Sequence, residues 1–429
     1  MEKSNLLTAV VSNHNGEIFD LEGYAAVGMA GTDLFPLTMA ATRKLPYGSE
    51  LMRLPDRLPI LYDIQSDGFE VVDKNPYQPD EDIFPVAAFN SPGHVVSSVS
   101  AYREKSHAGV LPLFSYGAVG WHGDGFRSAV IQVDRERRQD LRLMKREDVI
   151  RGIALMRRKL PGNRLRKHLE NCALEYGCPA GKNFFLGRYE APLPTAKTCN
   201  ADCLGCLSLQ TDTDIPCSQE RIRFTPDPEE IAGVALEHIG RVKKSVVSFG
   251  QGCEGDPLLA AAVIEPAIRL IRAKTDRGTI NMNTNGGLPG VLKRLLDAGL
   301  DSIRVSMNSV RKDFYLPYFN PKGYAFEDVI RSIDVALDNG RHVAINYLNL
   351  PGFTDRAGER DCLVTFVEDH PIRMIQWRNL NYDPVSYWRA MGQDAQAEPV
   401  VGMQVVIDTI RDLFPDIKHG YFNPPKENW

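Results

Sequence analysis

The sequence predicts an α/β protein, a partial (βα)6 TIM-like barrel preceded by a β-rich N-terminal domain. Three observations predict it. Hairpin-type turn dipeptides punctuate the first 135 residues, a basic helical stretch follows, and from Ala191 onward strand-like and helix-like segments alternate. A chain of 429 residues, 43% of them hydrophobic, has apolar material for two or three domains without disulfide staples.

The turns come first. Asn15-Gly16, Asp67-Gly68 and Asp124-Gly125 sit among the strand-like runs Leu7–Ser12, Leu58–Ile64, Phe69–Asp73, Gly117–Trp121 and Phe126–Val133. Such dipeptides tolerate the backbone that tight hairpins need. Residues 1–135 are therefore expected to form a β-rich accessory domain. Residues 136–190 are expected to be a basic helical connector. Across 135–167 there are thirteen Lys or Arg against four acids, and Val149–Lys159 has helical periodicity. The plain reading is a solvated helix face. The sharper one is a surface for an anionic partner such as RNA.

From Ala191 the rhythm changes. Apolar or β-branched runs at Ala191–Thr198, Ser245–Phe249, Thr279–Asn283, Ser302–Ser306, His342–Tyr347 and Arg373–Arg378 read as strands. Between them, Pro228–Val242, Leu258–Lys274, Leu288–Ala298, Ala325–Asn339 and Arg356–Glu368 read as helices, with Gly299 and Gly340 as C-terminal signals. Alternating units of this kind imply a parallel sheet with helices outside it. Six strands fall short of the eight of a closed barrel, so an open partial barrel over 191–385 is expected. Residues 386–429 then hold a helix at Val400–Leu413 and an aromatic, proline-containing tail at Gly420–Pro425.

A net charge of −5 spread over this length names no partner. No apolar run approaches the ~18 residues of a membrane span. Met1-Glu2-Lys3-Ser4-Asn5 lacks the basic-then-apolar order of a signal peptide. The expectation is a cytoplasmic protein with no membrane partner.

The eight cysteines are Cys172, Cys178, Cys199, Cys203, Cys206, Cys217, Cys253 and Cys362. Clustered thiols in a reducing compartment indicate a metal site or catalysis rather than a disulfide framework. Cys199-x3-Cys203-x2-Cys206 lets three thiolates converge from one tight loop, with Gly205 easing the wrap. Three cysteines on a four-iron cubane leave one iron open to a small-molecule ligand. Two alternatives remain at this point: a zinc site completed by Cys217 or Cys178, and a ferredoxin-like carrier needing a fourth cysteine.

This spacing at the end of a first strand, followed by βα units, resembles the radical SAM superfamily over residues 191–385. The resemblance implies a [4Fe-4S] cluster on Cys199, Cys203 and Cys206, whose open iron takes the amino and carboxylate groups of S-adenosylmethionine. It implies reductive cleavage of that cofactor to a 5′-deoxyadenosyl radical, which abstracts hydrogen from a substrate. A one-electron donor such as a flavodoxin or ferredoxin is implied with it. Gly250-Gln251-Gly252-Cys253-Glu254-Gly255-Asp256-Pro257 resembles the family's Gly-Gly-Glu-Pro motif, with Glu254 or Asp256 in the place of its glutamate. By the same resemblance Asn283, Asn285, Arg304, Ser306 and Asn308 are expected on the cofactor's ribose and carboxylate, and Leu350 and Gly352 beside its adenine. Gln376, Arg378 and Asn381 on the sixth strand are polar for a core and need a ligand or a hydrogen-bond network.

Cys253 lies inside the glycine-rich loop and is a candidate catalytic thiol, a second-cluster ligand or a small buried hydrophobe. Cys172, Cys178 and Cys217 allow an auxiliary cluster, although a single cluster is the preferred reading, and Cys362 reads as packing. Three functions follow. The first is a radical SAM enzyme acting on a peptide, protein or small metabolite; the second is one acting on RNA; the third is a non-catalytic iron–sulfur or zinc protein.

Overall fold

Turn chemistry builds the N-terminal hairpins. Thr8–Ser12 pairs antiparallel with Ile18–Ala25, Arg57–Asp63 with Gly68–Val71, and Val119–His122 with Gly125–Ser128. The last turn is a two-residue loop with Gly123 at φ 59°, a backbone that only glycine adopts cheaply. It therefore centres on Gly123-Asp124, one residue earlier than the Asp124-Gly125 pair suggests. Alternate side chains of these strands, among them Ala9, Val11, Leu21 and Leu61, bury one apolar cluster.

The computed structural model describes residues 5–210, 215–392 and 398–429. Residues 1–4, which carry most of the N-terminal targeting reading, lie outside that set. The chain divides into two compact units: Met1–Asp134 with Leu348–Val364 and Trp377–Pro415, and Arg135–Tyr347 with Thr365–Gln376 and Asp416–Trp429.

The second unit opens with helices α1 (Arg146–Lys159), α2 (Arg164–Leu174) and α3 (Pro179–Leu186). Much of the positive charge of this stretch is paired inside the chain. Arg157 and Arg166 meet Glu170, Arg164 meets Glu230 and Asp227, Lys159 meets Glu237, and Arg142 meets Asp140. Of these, Arg166 and Glu170 are buried, whereas Arg157, Arg164 and Arg142 stay exposed.

A parallel sheet follows, with strands β1 (Glu190–Pro192), β2 (Val246–Phe249), β3 (Thr279–Thr284), β4 (Ser302–Met307), β5 (His342–Asn349) and β6 (Met374–Asn379) in sequential order. A seventh, β7 (Lys418–Gly420), comes from the tail and pairs parallel to β6 in the register Met374↔Lys418. The half-barrel thus has one strand more than the apolar pattern indicates. β1 is shorter than the run Ala191–Thr198 because Pro192 and Pro194 offer no N–H to a ladder. Helices α4 (Pro228–Arg241), α5 (Ala261–Arg272), α6 (Pro289–Ala298), α7 (Lys312–Phe319), α8 (Phe326–Asp338) and α9 (Ala357–Asp369) fall between the strands. Asp227 and Glu230 form a capping box that starts α4. Ile264, Ile268 and Ile271 of α5 and Leu292, Leu295 and Leu296 of α6 are fully buried, which marks the face each helix packs inward. Among the described residues no helix is long and apolar enough to cross a membrane.

Candidate metal centre

In a parallel sheet all strands end at one rim, and the loops there meet. β1 runs out into the segment carrying Cys199, Cys203 and Cys206. This segment is pinned by backbone bonds rather than by regular structure. The N–H groups of Asp202 and Leu204 donate to the carbonyls of Phe319 and Tyr318, both at 3.0 Å, and Lys322 N–H donates to the Asn200 carbonyl at 2.7 Å. Gln210 Nε2 donates to the carbonyls of Leu204 (3.0 Å) and Cys206 (2.9 Å). Burial pushes the Cys199 thiol up to about 11, and pushes Cys203 up as well, with the facing Cys199 and Cys206 adding to the shift. Arg221 Nη2 donates to Cys206 Sγ at 3.4 Å. Among the described residues none of the cysteines is in a disulfide. Half-buried, neighbouring thiols with a guanidinium alongside are poised to lose their protons to a metal rather than to solvent.

The glycine-rich loop after β2 packs directly on this segment. Gly255 N–H donates to the Ala196 carbonyl (2.7 Å) and Asp256 N–H to that of Thr198 (3.1 Å). A Cβ on Gly255 would stand 1.8 Å from the Thr198 oxygen, so no other residue fits. Glu254 is a brace. Its Oε2 accepts N–H bonds from Thr195 (2.7 Å) and Ala196 (2.9 Å), and its Oε1 accepts from Gly250 (2.7 Å) and Gln251 (2.8 Å). Burial pushes its pKa up to about 7 against the pull of these four donors. Asp256 accepts from the N–H groups of Leu258 (3.0 Å) and Asn285 (2.7 Å), and its two oxygens share the Thr284 hydroxyl at 2.9 Å. Three donors therefore meet the four lone-pair positions of Asp256, whereas four donors saturate Glu254.

The interior of the half-barrel is polar and continuous. Ser302 Oγ donates to Asn281 Oδ1 (2.9 Å), and Asn281 Nδ2 donates to Asn283 Oδ1 (2.9 Å). Asn283 Nδ2 in turn donates to the Gly250 carbonyl (2.8 Å). Arg304 Nη1 donates to Gln376 Oε1 (2.5 Å), Gln376 Nε2 to Asn423 Oδ1 (3.0 Å), and Asn423 Nδ2 to Glu190 Oε1 (2.8 Å). Gln376 thus has the network its buried amide requires. Asn285 Nδ2 donates to Asn200 Oδ1 (2.7 Å), which ties the β3 rim to the cysteine segment.

The other expected residues are placed less centrally. Arg304 and Ser306 are half-buried on the same side of β4, whereas Asn308 donates to the Phe314 carbonyl (2.9 Å) on the way into α7. Leu350 and Gly352 belong to the other compact unit. There Leu350 N–H donates to Thr354 Oγ1 (2.9 Å), and Gly352 lies against the Ala30–Gly31 backbone. Cys253 is buried with its thiol beside those of Cys172 and the imidazole of His168. Cys178 sits in the turn between α2 and α3, its N–H donating to the Cys172 carbonyl at 3.0 Å, and Cys217 is exposed.

Several residues of the site were not singled out from the sequence. Asn200, Arg221, Glu190 and Asn423 carry no motif, and their roles arise from contacts between distant segments. His168 did carry a signal, since it lies four residues before Cys172 on a helix and so on the same face.

A half-barrel with three neighbouring cysteines on the loop after its first strand offers a candidate metal site. Residues 193–361 match the family model described as the Radical SAM superfamily, so the half-barrel segment carries a radical SAM domain. The cofactors of the superfamily are a [4Fe-4S] cluster and S-adenosylmethionine. The chain is 25% identical over 235 residues to molybdenum cofactor biosynthesis protein 1 of Drosophila melanogaster, covering 54% of this chain and 38% of that protein. It is 30% identical over 122 residues to the FeMo cofactor biosynthesis protein NifB of Klebsiella pneumoniae, covering 28% of this chain and 25% of that protein. The chain thus spans well under half the length of these relatives. Among solved structures, the FeFe-hydrogenase maturase HydG from Carboxydothermus hydrogenoformans aligns with a TM-score of 0.37 and 13% identity, covering 66% of this chain and 71% of that one.

Proposed function

We propose that Cys199, Cys203 and Cys206 hold the [4Fe-4S] cluster of a radical SAM enzyme whose substrate is a peptide, a protein or a small metabolite. When bound, the cluster and S-adenosylmethionine supply a one-electron reductive cleavage that yields a 5′-deoxyadenosyl radical able to abstract hydrogen from that substrate. An external one-electron donor of the flavodoxin or ferredoxin type serves the reaction.

The chain's own residues divide the work. Arg221 offers its guanidinium to the Cys206 sulfur, which favours the thiolate. Asp256 retains acceptor capacity and takes the methionine ammonium, while Glu254, saturated by four backbone N–H groups, holds the loop in shape. Asn283 and Asn285 fix the spacing of the glycine-rich loop and the cysteine segment through their amides. Arg304 and Ser306, half-buried on one side of β4, are the side chains offered to the cofactor's carboxylate and ribose.

The observation that carries this reading is the cysteine segment itself, three half-buried cysteines close together on a stretch laced by backbone bonds to the glycine-rich loop. The test is anaerobic reconstitution followed by reduction in the presence of S-adenosylmethionine. Wild-type protein should bind about four irons per chain and release 5′-deoxyadenosine. Cys203→Ala should lose the iron and the product together. Asp256→Asn should keep the iron but bind S-adenosylmethionine at least tenfold more weakly. A reconstituted, iron-loaded wild type that releases no 5′-deoxyadenosine with any strong reductant would sink the reading.

A further inference from the structure

A second set of ligand atoms converges away from the cysteine segment. α2 presents His168 and Cys172 one turn apart, and the loop after β2 brings Cys253 to them. His168 Nε2, Cys172 Sγ and Cys253 Sγ all lie within 4.8 Å of one another, and the first two are 3.5 Å apart. Cys172 is 3% and Cys253 5% exposed. The His168 ring is positioned edge-on to Phe224, with centroids 6.2 Å apart at 80°.

We propose that these three side chains bind a single divalent ion of the zinc class. Zinc lies about 2.0 Å from an imidazole nitrogen and about 2.3 Å from a thiolate, which at a tetrahedral angle separates the two ligand atoms by about 3.5 Å. The His168–Cys172 spacing matches. Two thiolates and one neutral imidazole cancel the charge of a divalent ion, so the occupied site is neutral, as a buried position requires. A cubane places each ligand on a different iron and needs them farther apart than one ion does. The fourth position is open to a solvent molecule, which leaves the site neutral. Because Cys253 is bonded in sequence to Glu254, the ion would staple α2 to the loop that braces the cysteine segment. Its role is structural, and Cys253 is a ligand rather than a hydrogen donor.

This inference stands on its own geometry and does not depend on the cluster. The test is metal analysis of protein produced with zinc available and reconstituted with iron under nitrogen. Wild type should hold about one zinc per chain in addition to its iron. Cys203→Ala should lose iron and keep zinc, whereas the double variant His168→Gln/Cys172→Ser should lose at least tenfold in zinc. Cys362→Ser, at an exposed position, should retain it. Zinc K-edge absorption on the wild type gives a readout that needs no variant, and it should show sulfur and nitrogen neighbours together. Zinc-free wild type, zinc retained by the double variant, an oxygen-only coordination shell, or a Cys172–Cys253 disulfide in the anaerobic protein would each overturn the proposal.

Discussion

Glu254 and Asp256 carry the same charge two positions apart, and their surroundings give them different work. Four backbone donors on Glu254 make it a structural knot, whereas Asp256 takes two backbone N–H groups and one hydroxyl. His238 is the reverse case, a titratable group kept neutral. It is fully buried in α4, its Nε2–H donates to the Tyr189 carbonyl at 3.1 Å, and its Nδ1 has no partner among the described residues. Burial pulls its pKa down to about 4. Between that value and the ordinary 6.5 the unfolded chain binds the proton and the folded one does not, so stability falls as the pH is lowered through this window and is fully retained above it. Chemical denaturation at pH 7 and at about pH 4.5 should show wild type losing ~2–3 kcal/mol more than His238→Gln, which keeps a donor for Tyr189 without a titrating ring. Parallel losses in the two proteins would show that the imidazole is not the proton acceptor.

At the scale of elements, the site depends on how closely the loop after β2 lies on the segment leaving β1. Gly255→Ala must push the two apart, because its Cβ would meet the Thr198 oxygen at 1.8 Å. The expected outcome is a fall in stability of ~1–3 kcal/mol together with loss of iron retention on gel filtration, both read against Gly240→Ala, where a Cβ meets nothing within 4 Å. An iron-replete, fully stable Gly255→Ala would show that the contact does not matter. The same elements mark what was legible in the sequence. The cysteine segment and five of the helices are local patterns, and local patterns survive translation into structure. β7 was not legible, since Lys418-His419-Gly420 has no apolar alternation and becomes a strand only by pairing with β6. The end of β1 was misjudged because apolar character was weighed above the prolines that stop a ladder. The bond between Asn423 and Glu190 joins residues 233 apart, and nothing in either neighbourhood announces it.

At the scale of the whole molecule, the first compact unit is discontinuous, and its buried chemistry shows that the later segments are not optional. Arg57, 2% exposed, donates to the carbonyls of Pro55 (3.0 Å) and Gly109 (2.6 Å) and pairs with Asp383 at 2.9 Å. Asp383, fully buried, also accepts from Leu111 N–H (2.9 Å) and caps the helix at Pro384–Met391 through Ser386 N–H (2.9 Å). Asn379 and Asn349 add three more bonds to the backbone of His94 and Val96. A polypeptide of residues 1–135 lacks Asp383, Asn379 and Asn349. Its Arg57 would keep the Pro55 and Gly109 carbonyls but have Glu104, at 3.3 Å, as its one remaining carboxylate, and losing one member of a buried pair costs ~3–5 kcal/mol, much of the 5–15 kcal/mol that holds a domain together. We therefore expect the isolated 1–135 segment to unfold without a sharp transition. Asp383→Ala in the full chain should lose ~3–5 kcal/mol, and Asp383→Asn less, because its amide oxygen can still accept from Arg57 and Leu111. Urea unfolding followed by circular dichroism measures all three. A cooperative transition in the isolated segment would mean that its hairpins close their own core and that the Arg57–Asp383 pair is an accessory to it.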